Sequence, residues 1–493
     1  MKSLFRALLP ILVIAPTLAA CAVSTNPVSG KRRAYGYTWE QEVRLGRQAD
    51  QEIVEQFGVY DDPELEDYVR RVGEQVLAQS HLRRETALPE YRTTKFTFRI
   101  LDTEVVNAFA LPGGFVYVTR GLLAHLENEA QLAVVLGHEV GHVAARHTAQ
   151  NALESGLVMI GLLGAGLLGE ELAGIGDEVM DYGGMGLNLL LLRYSRDDGR
   201  ESDRLGVEYA AMAGYAAAEG ADFFTALERM QQKQGWFPAF LSTHPDPGGR
   251  ETTVRQLATQ WAAQGYPGAR VEADSYLARL DGLVMGEDPR QGFEENGVFY
   301  HPAGAFRFPV PRGWKVTHEG REVQFATDRS GLAVRFKATS RAPTPYAAAD
   351  DFIRQNELYG AQSTRTEMNG FAGARVDATT GRNDRSFQVV GYWLEQDGVV
   401  RRFVGVAESS RGDEMAHALS GMIRGFRRLT DQRILSMQPA RLAVTPVRQD
   451  APFRTLVDAR RLPRGVTLDD LAILNGVQAD AVVPAGTRLK LPR

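Results

Sequence analysis

Within 493 residues, the run His138-Glu139-Val140-Gly141-His142 constrains the chain most, because its chemistry works only on a helix. Residues i and i+4 of a helix lie on one face about a turn apart, so two imidazoles can aim at one metal ion. Glu139 lies about 100° round the axis, within reach of a water held on that metal. A zinc ion bound in this way lowers the pKa of its water and polarises a carbonyl; Glu139 can then take a proton from the water and pass it to a leaving amine. Gly141 lets another backbone or a substrate come close. With nine histidines in the chain, this spacing should arise by chance in on the order of one such chain in a hundred. Two exposed histidines on an ordinary helix is therefore the weaker reading.

The flanking sequence supplies the helix. Asn128 and Glu129 are suitable start residues, and apolar Leu132, Val135 and Leu136 carry the pattern through the motif to about Ala149. From Trp39, apolar residues recur three or four apart through Val43, Ala49, Ile53, Leu65, Val69, Val72 and Val76, which predicts two amphipathic helices. Phe96–Ile100 alternates as a half-buried strand, and Phe115–Val118 is a second strand after the turn signal Pro112-Gly113-Gly114. The length exceeds the roughly 100–200 residues of one domain, so several are expected. A net charge of −5 leaves no basic excess to neutralise phosphates, which argues against a nucleic-acid partner.

The first twenty residues read as an export signal, with Lys2 and Arg6 ahead of an apolar run, Ala7–Leu18, too short to span a bilayer permanently. Cys21, the single cysteine, follows Leu18-Ala19-Ala20, and this arrangement resembles a bacterial lipoprotein signal. The resemblance implies lipidation of Cys21, a periplasmic protein anchored to a membrane, and, with Ala22 next in line, sorting to the outer membrane. Residues 21–38 then serve as a tether. The apolar stretch 156–172 is too short for a membrane helix and suggests a buried or partly exposed hairpin near the site, or else a lid or a lipid-facing surface, while 187–192 suggests a buried turn or two of helix.

After residue 265 a helical linker (266–295) leads into an α+β domain over 296–430. There Asp397-Gly398 signals a tight hairpin, and Met415, Leu419, Met422, Ile423 and Phe426 recur at helical spacing. Its Phe306-Arg-Phe and Gly313-Trp314 opening resembles PsbP-like domains. Residues 440–493 contain Leu468-Asp-Asp-Leu471 through Asn475-Gly476 and end in Gly486-Thr-Arg-Leu489-Lys-Leu491-Pro492, which resembles a LysM module without its usual Gly-Asp-Thr opening. That resemblance implies peptidoglycan as a partner.

The third metal donor is the open question. The position of a metzincin's third histidine is Thr148, and His147 is one residue out of place. A carboxylate on a second helix is the remaining common arrangement, with 194–206 as the candidate segment. Asn107-Ala-Phe through Pro112-Gly-Gly114, the motif at 138–142, Tyr194-Ser-Arg196, Asp203-Arg-Leu-Gly206 and Ser242-Thr-His-Pro245 together resemble the BepA, LoiP and HtpX type of gluzincin metallopeptidase over about residues 35–260. The resemblance implies an α+β protein whose mostly helical zincin-type domain (39–265) carries a small sheet. It further implies a zinc endopeptidase acting on unfolded or misassembled envelope proteins, with substrate taken by strand addition beside the cleft.

One departure matters, because the place of the family's glutamate ligand is Gly199 here. Glu201, two positions on, is then the expected third ligand if the helix starts late or is bulged; otherwise fewer protein ligands hold the zinc. Asp203 is expected to orient a ligand histidine. His244 is a further candidate donor, since in some relatives that histidine reaches the metal and restrains activity. The rival reading is a catalytically weakened homologue that binds client proteins or glycans.

Overall fold

The computed structural model describes residues 22–154, 194–233, 239–244, 249–327, 332–337, 343–358, 360–382 and 385–493. The export signal, Cys21 and the apolar stretches 156–172 and 187–192 lie outside them.

Residues 22–38 are not a free tether. β1 (Ala22–Thr25) and β2 (Arg32–Tyr35) pair as an antiparallel hairpin, Tyr35 is fully buried, and Asn26 Nδ2 donates to Ala145 O at 2.9 Å. The polar composition that suggested a linker instead supplies side chains that satisfy backbone groups in and beneath the hairpin.

The two expected amphipathic helices are α1 (Trp39–Phe57), started by a Thr38–Gln41 capping box, and α2 (Pro63–Gln79), capped by Asp62. After the short α3 (Pro89–Thr93) come β3 (Thr97–Leu101), β4 (Ala108–Leu111) and β5 (Phe115–Thr119). Their sheet order is β3-β5-β4, with β3 parallel and β4 antiparallel to β5, so β4 is an edge among the described residues. The β4–β5 turn needs glycine: Gly113 and Gly114 have φ of 78° and 97°, and a Cβ on Gly113 would lie 2.4 Å from Val43 Cα.

α4 (Arg120–His125) leads into α5 (Glu129–Ala145), the motif helix, in which every residue is buried. Such a helix belongs at the centre of a body rather than on its surface. It packs among α2, α7 (Arg196–Met212) and α8 (Gly220–Gln231). α6 (His147–Glu154), α9 (Ala239–Thr243), α10 (Arg250–Ala263) and α11 (Ala273–Leu280) complete the helical part.

The 266–295 segment does not stand apart as a linker. Within α11, Tyr276 and Leu280 are fully buried in the same core, and Tyr276 Oη donates to Leu123 O at 2.7 Å.

The middle domain is a seven-stranded antiparallel sheet in the order β12-β13-β14-β15-β11-β10-β9. Its strands are β9 (Trp314–Glu319), β10 (Glu322–Thr327), β11 (Ala333–Lys337), β12 (Gln362–Met368), β13 (Phe371–Arg382), β14 (Arg385–Gln396) and β15 (Val399–Glu408). Beside it, β6 (Phe293–Glu295), β7 (Val298–His301), β8 (Phe306–Pro309) and β16 (Arg427–Arg428) form a small sheet. The Asp397-Gly398 turn joins β14 to β15 with both residues at positive φ, as its sequence requires. Both faces of the large sheet are covered. Along β14, Val390, Tyr392 and Leu394 share a core with α13 (Gly412–Arg424), while Val389 and Trp393 share another with α12 (Pro345–Gln355).

The C-terminal segment is also built into the motif body. β17 (Leu442–Pro446) pairs with β20 (Arg488–Pro492), and β18 (Ala451–Pro452) with β19 (Val482–Val483). α14 (Leu468–Leu474) brings Leu471, Ile473 and Leu474 into the core that holds α5. Lys490, 2% exposed, donates from Nζ to Ala124 O and Leu126 O at 2.7 and 2.9 Å. Among the described residues no helix is long and apolar enough to cross a membrane.

Candidate metal centre

The centre begins with how closely two helices approach. α5 and α7 meet glycine to glycine: a Cβ on Gly206 would lie 2.8 Å from His138 N, and one on Gly137 would lie 2.9 Å from Gly206 O. Only residues without side chains allow this crossing. It carries Asp203 to the motif, with Oδ1 2.9 Å from His138 Nδ1. Arg250, at the start of α10, clamps Asp203 through Nε–Oδ2 at 2.9 Å and a terminal nitrogen to Oδ1 at 2.5 Å. Burial alone would raise the Asp203 carboxyl, but the Arg250 charge and His138 hold it well below the usual range.

The imidazoles converge from there. His138 Nε2 and His142 Nε2 lie 3.0 Å apart. His244, just past α9, stacks on Phe240 with ring centroids 4.5 Å apart, and its Nδ1 lies 3.1 Å from Phe240 O. One nitrogen from each of His138, His142 and His244 lies within 4.8 Å of the others, and all three residues are buried. Burial pushes each below its ordinary pKa, which favours the neutral ring that ligates metals. Among the described residues this is the one group of His, Cys, Asp or Glu placed to hold an ion. The donor set fits zinc, which takes neutral imidazole nitrogens.

Glu139 is fully buried beside this group, with Oε1 3.7 Å from His244 Nε2. Neither carboxylate oxygen has a hydrogen-bond partner among the described residues. Burial, opposed by the Arg250 charge, pushes its pKa up to about 8. That range suits a group that must both accept and return a proton near neutrality.

Two expectations are altered. Glu201 does not join the histidine group: α7 starts at Arg196 on a Ser195–Asp198 capping box, with no late start, and Glu201 Oε2 lies 3.2 Å from His147 Nε2 instead. A regular helix turns residue 201 by about 200° from residue 199. At Gly199 itself, which is buried, a Cβ would meet nothing within 4 Å among the described residues.

The motif helix also ends sooner than the expected Ala149. Arg146 takes a left-handed conformation (φ 61°, ψ 39°) as its cap. Its Nε donates to Glu42 Oε1 at 2.8 Å, and its guanidinium lies 3.8 Å from the Tyr35 ring centroid. The sequence reading set His147 aside as one residue out of place, and Arg250 escaped it. No helical spacing pairs residues 142 and 147, and nothing local marks Arg250 as a partner of Asp203.

Comparison with known proteins finds metallopeptidases among the relatives. Residues 63–258 match peptidase family M48. The chain is 30% identical over 284 residues to a Vibrio cholerae protein named "Putative beta-barrel assembly-enhancing protease", covering 56% of each chain. It is 25% identical over 291 residues to the beta-barrel assembly-enhancing protease of Escherichia coli K12, covering 58% of this chain and 57% of the relative. With the mitochondrial metalloendopeptidase OMA1 of Schizosaccharomyces pombe it shares 29% identity over 235 residues, 47% of this chain and 65% of that one. The chain thus spans a little over half the length of the two bacterial relatives. These matches support a metallopeptidase. A solution structure of cyanobacterial PsbP from Synechocystis sp. PCC 6803 aligns with 28% of this chain and 91% of its own, at 14% identity and a TM-score of 0.21, too low to carry an argument.

Proposed function

We propose that the chain is a zinc endopeptidase of the bacterial envelope, tethered through Cys21, which hydrolyses peptide bonds of unfolded or misassembled envelope proteins. The observation that carries this reading is the buried trio His138, His142 and His244 beside the buried carboxylate of Glu139, which has no hydrogen-bond partner among the described residues. In it the three histidines are the zinc ligands, and Glu201 is not. Zinc held there supplies Lewis-acid polarisation of a peptide carbonyl and activation of a water.

The protein's own groups do the rest. Asp203, fixed by Arg250, keeps the His138 ring turned so that Nε2 faces the trio. Glu139 takes the proton of the attacking water and delivers it to the leaving amine nitrogen. β4, an edge among the described strands, is the strand to which an extended, unfolded segment would add. Strand addition of this kind would suit unfolded clients as substrates. The export signal and Cys21 support a periplasmic, lipid-anchored location, and the LysM-like ending supports contact with peptidoglycan, which co-sedimentation would test.

One observation favours the rival reading of a weakened homologue that binds clients: Gly199 stands where the resemblance places a carboxylate, and among the described residues nothing lies within 4 Å of its Cβ position. Zinc content and degradation of an unfolded protein, measured for wild type, Glu139→Gln, His244→Ala and Glu201→Gln, separate the two. Wild type and Glu201→Gln are expected to bind zinc and degrade substrate, Glu139→Gln to keep zinc without activity, and His244→Ala to lose zinc affinity. Wild type that keeps zinc but cleaves nothing would overturn the enzyme.

A further inference from the structure

We propose that His147 is a positioning residue for the metal site, and that Glu201, displaced from the metal, acts through it by choosing which nitrogen of His147 carries the proton. The proposal rests on the His138–His142–His244 reading above.

In a continuous helix, residues five apart are turned by about 140° and cannot face each other. The left-handed Arg146 breaks the helix between them. The chain then re-enters α6 with His147 folded back, its Nδ1 2.9 Å from His142 Nδ1. Left-handed backbone is strained for a non-glycine residue, and here the buried Arg146–Glu42 pair holds it in place. The geometry at 146 thus serves the contact between two histidines.

That contact fixes proton positions. His142 directs Nε2 to the trio, so its proton must sit on Nδ1, and Nδ1–H needs an acceptor. The one within reach among the described residues is His147 Nδ1, which can accept only if the His147 proton is on Nε2. The carboxylate of Glu201 at 3.2 Å, with Asp198 Oδ1 farther off at 3.5 Å, accepts from Nε2–H and selects that form. The sequence of donors runs from His142 through His147 to Glu201, and its effect is to leave the His142 Nε2 lone pair for the metal. Such outer partners typically matter by 10–100-fold in metal affinity.

The test is zinc affinity of the full chain, measured by competition with a chelator, alongside the thermal midpoint of each metal-free variant. His147→Ala and Glu201→Ala are each expected to weaken zinc binding by roughly 10–100-fold. His147→Asn puts an amide oxygen close to where Nδ1 stood, and that oxygen accepts without any choice of tautomer. Its affinity should return to within about threefold of wild type. In the Asn background Glu201→Ala should then have no further effect, because the amide nitrogen ends one bond short of where Nε2 reached Glu201. A general loss of packing would lower the thermal midpoint and would not vanish in that background. Wild-type affinity in His147→Ala, or an equal loss from Glu201→Ala in both backgrounds, would overturn the proposal while leaving the three-histidine site intact. A wild-type protein that takes up no zinc would overturn both.

Discussion

Asp203 and Glu139 lie on facing helices, both buried, and their surroundings drive them in opposite directions. Asp203 has Arg250 and stays ionised; Glu139 has no hydrogen-bond donor among the described residues and is raised to about 8. One therefore serves as a fixed charge and the other as a proton carrier. Replacing Asp203 with Asn should weaken zinc binding by roughly 10–100-fold. It also leaves the Arg250 guanidinium buried without its counter-charge, a loss of about 3–5 kcal/mol, readable by urea denaturation. At this scale the sequence was partly legible. His138, Glu139 and His142 declare themselves because four residues on one helix fix their geometry without help from the fold. Asp203 was placed by resemblance. Glu201 was assigned to the metal because a single helix position could be counted but the partner on α6 could not be seen.

Elements show the same division. The Asp397-Gly398 hairpin and the strand after Pro112-Gly113-Gly114 were readable because their signals are local. The break at Arg146 was not: arginine is an ordinary helix residue, and what turns it left-handed is Glu42, 104 residues away. Arg146→Ala should remove the partner of a buried carboxylate, costing about 3–5 kcal/mol. Glu42→Gln should cost less, since an amide carries no charge to strand. The α5–α7 crossing gives a second expectation. Gly206→Ala would force its Cβ against the His138 backbone, costing about 1–3 kcal/mol. It would also move Asp203 from His138, so zinc affinity should fall together with stability.

Across the whole molecule, composition and periodicity identified an α+β middle domain and a distinct ending, but not what the ending covers. An apolar face on α14 shows only that something must bury it, and here that something is the body around α5. Lys490 makes the union measurable. Burial lowers its ammonium from the ordinary 10.5 to about 8. Between those values the unfolded chain holds a proton that the folded chain lacks, so this group's contribution to stability is present above pH 10.5 and is lost as pH falls toward 8. Comparing wild type with Lys490→Met by chemical denaturation from pH 8 to 10, the difference should shift in favour of wild type by roughly 1.4 kcal/mol per pH unit.

The same union bears on the order in which the fold can close. The carbonyls of Ala124 and Leu126, just ahead of the motif helix, are met by a lysine 366 and 364 residues downstream. The core around α5 is therefore closed only when the last residues of the chain are in place.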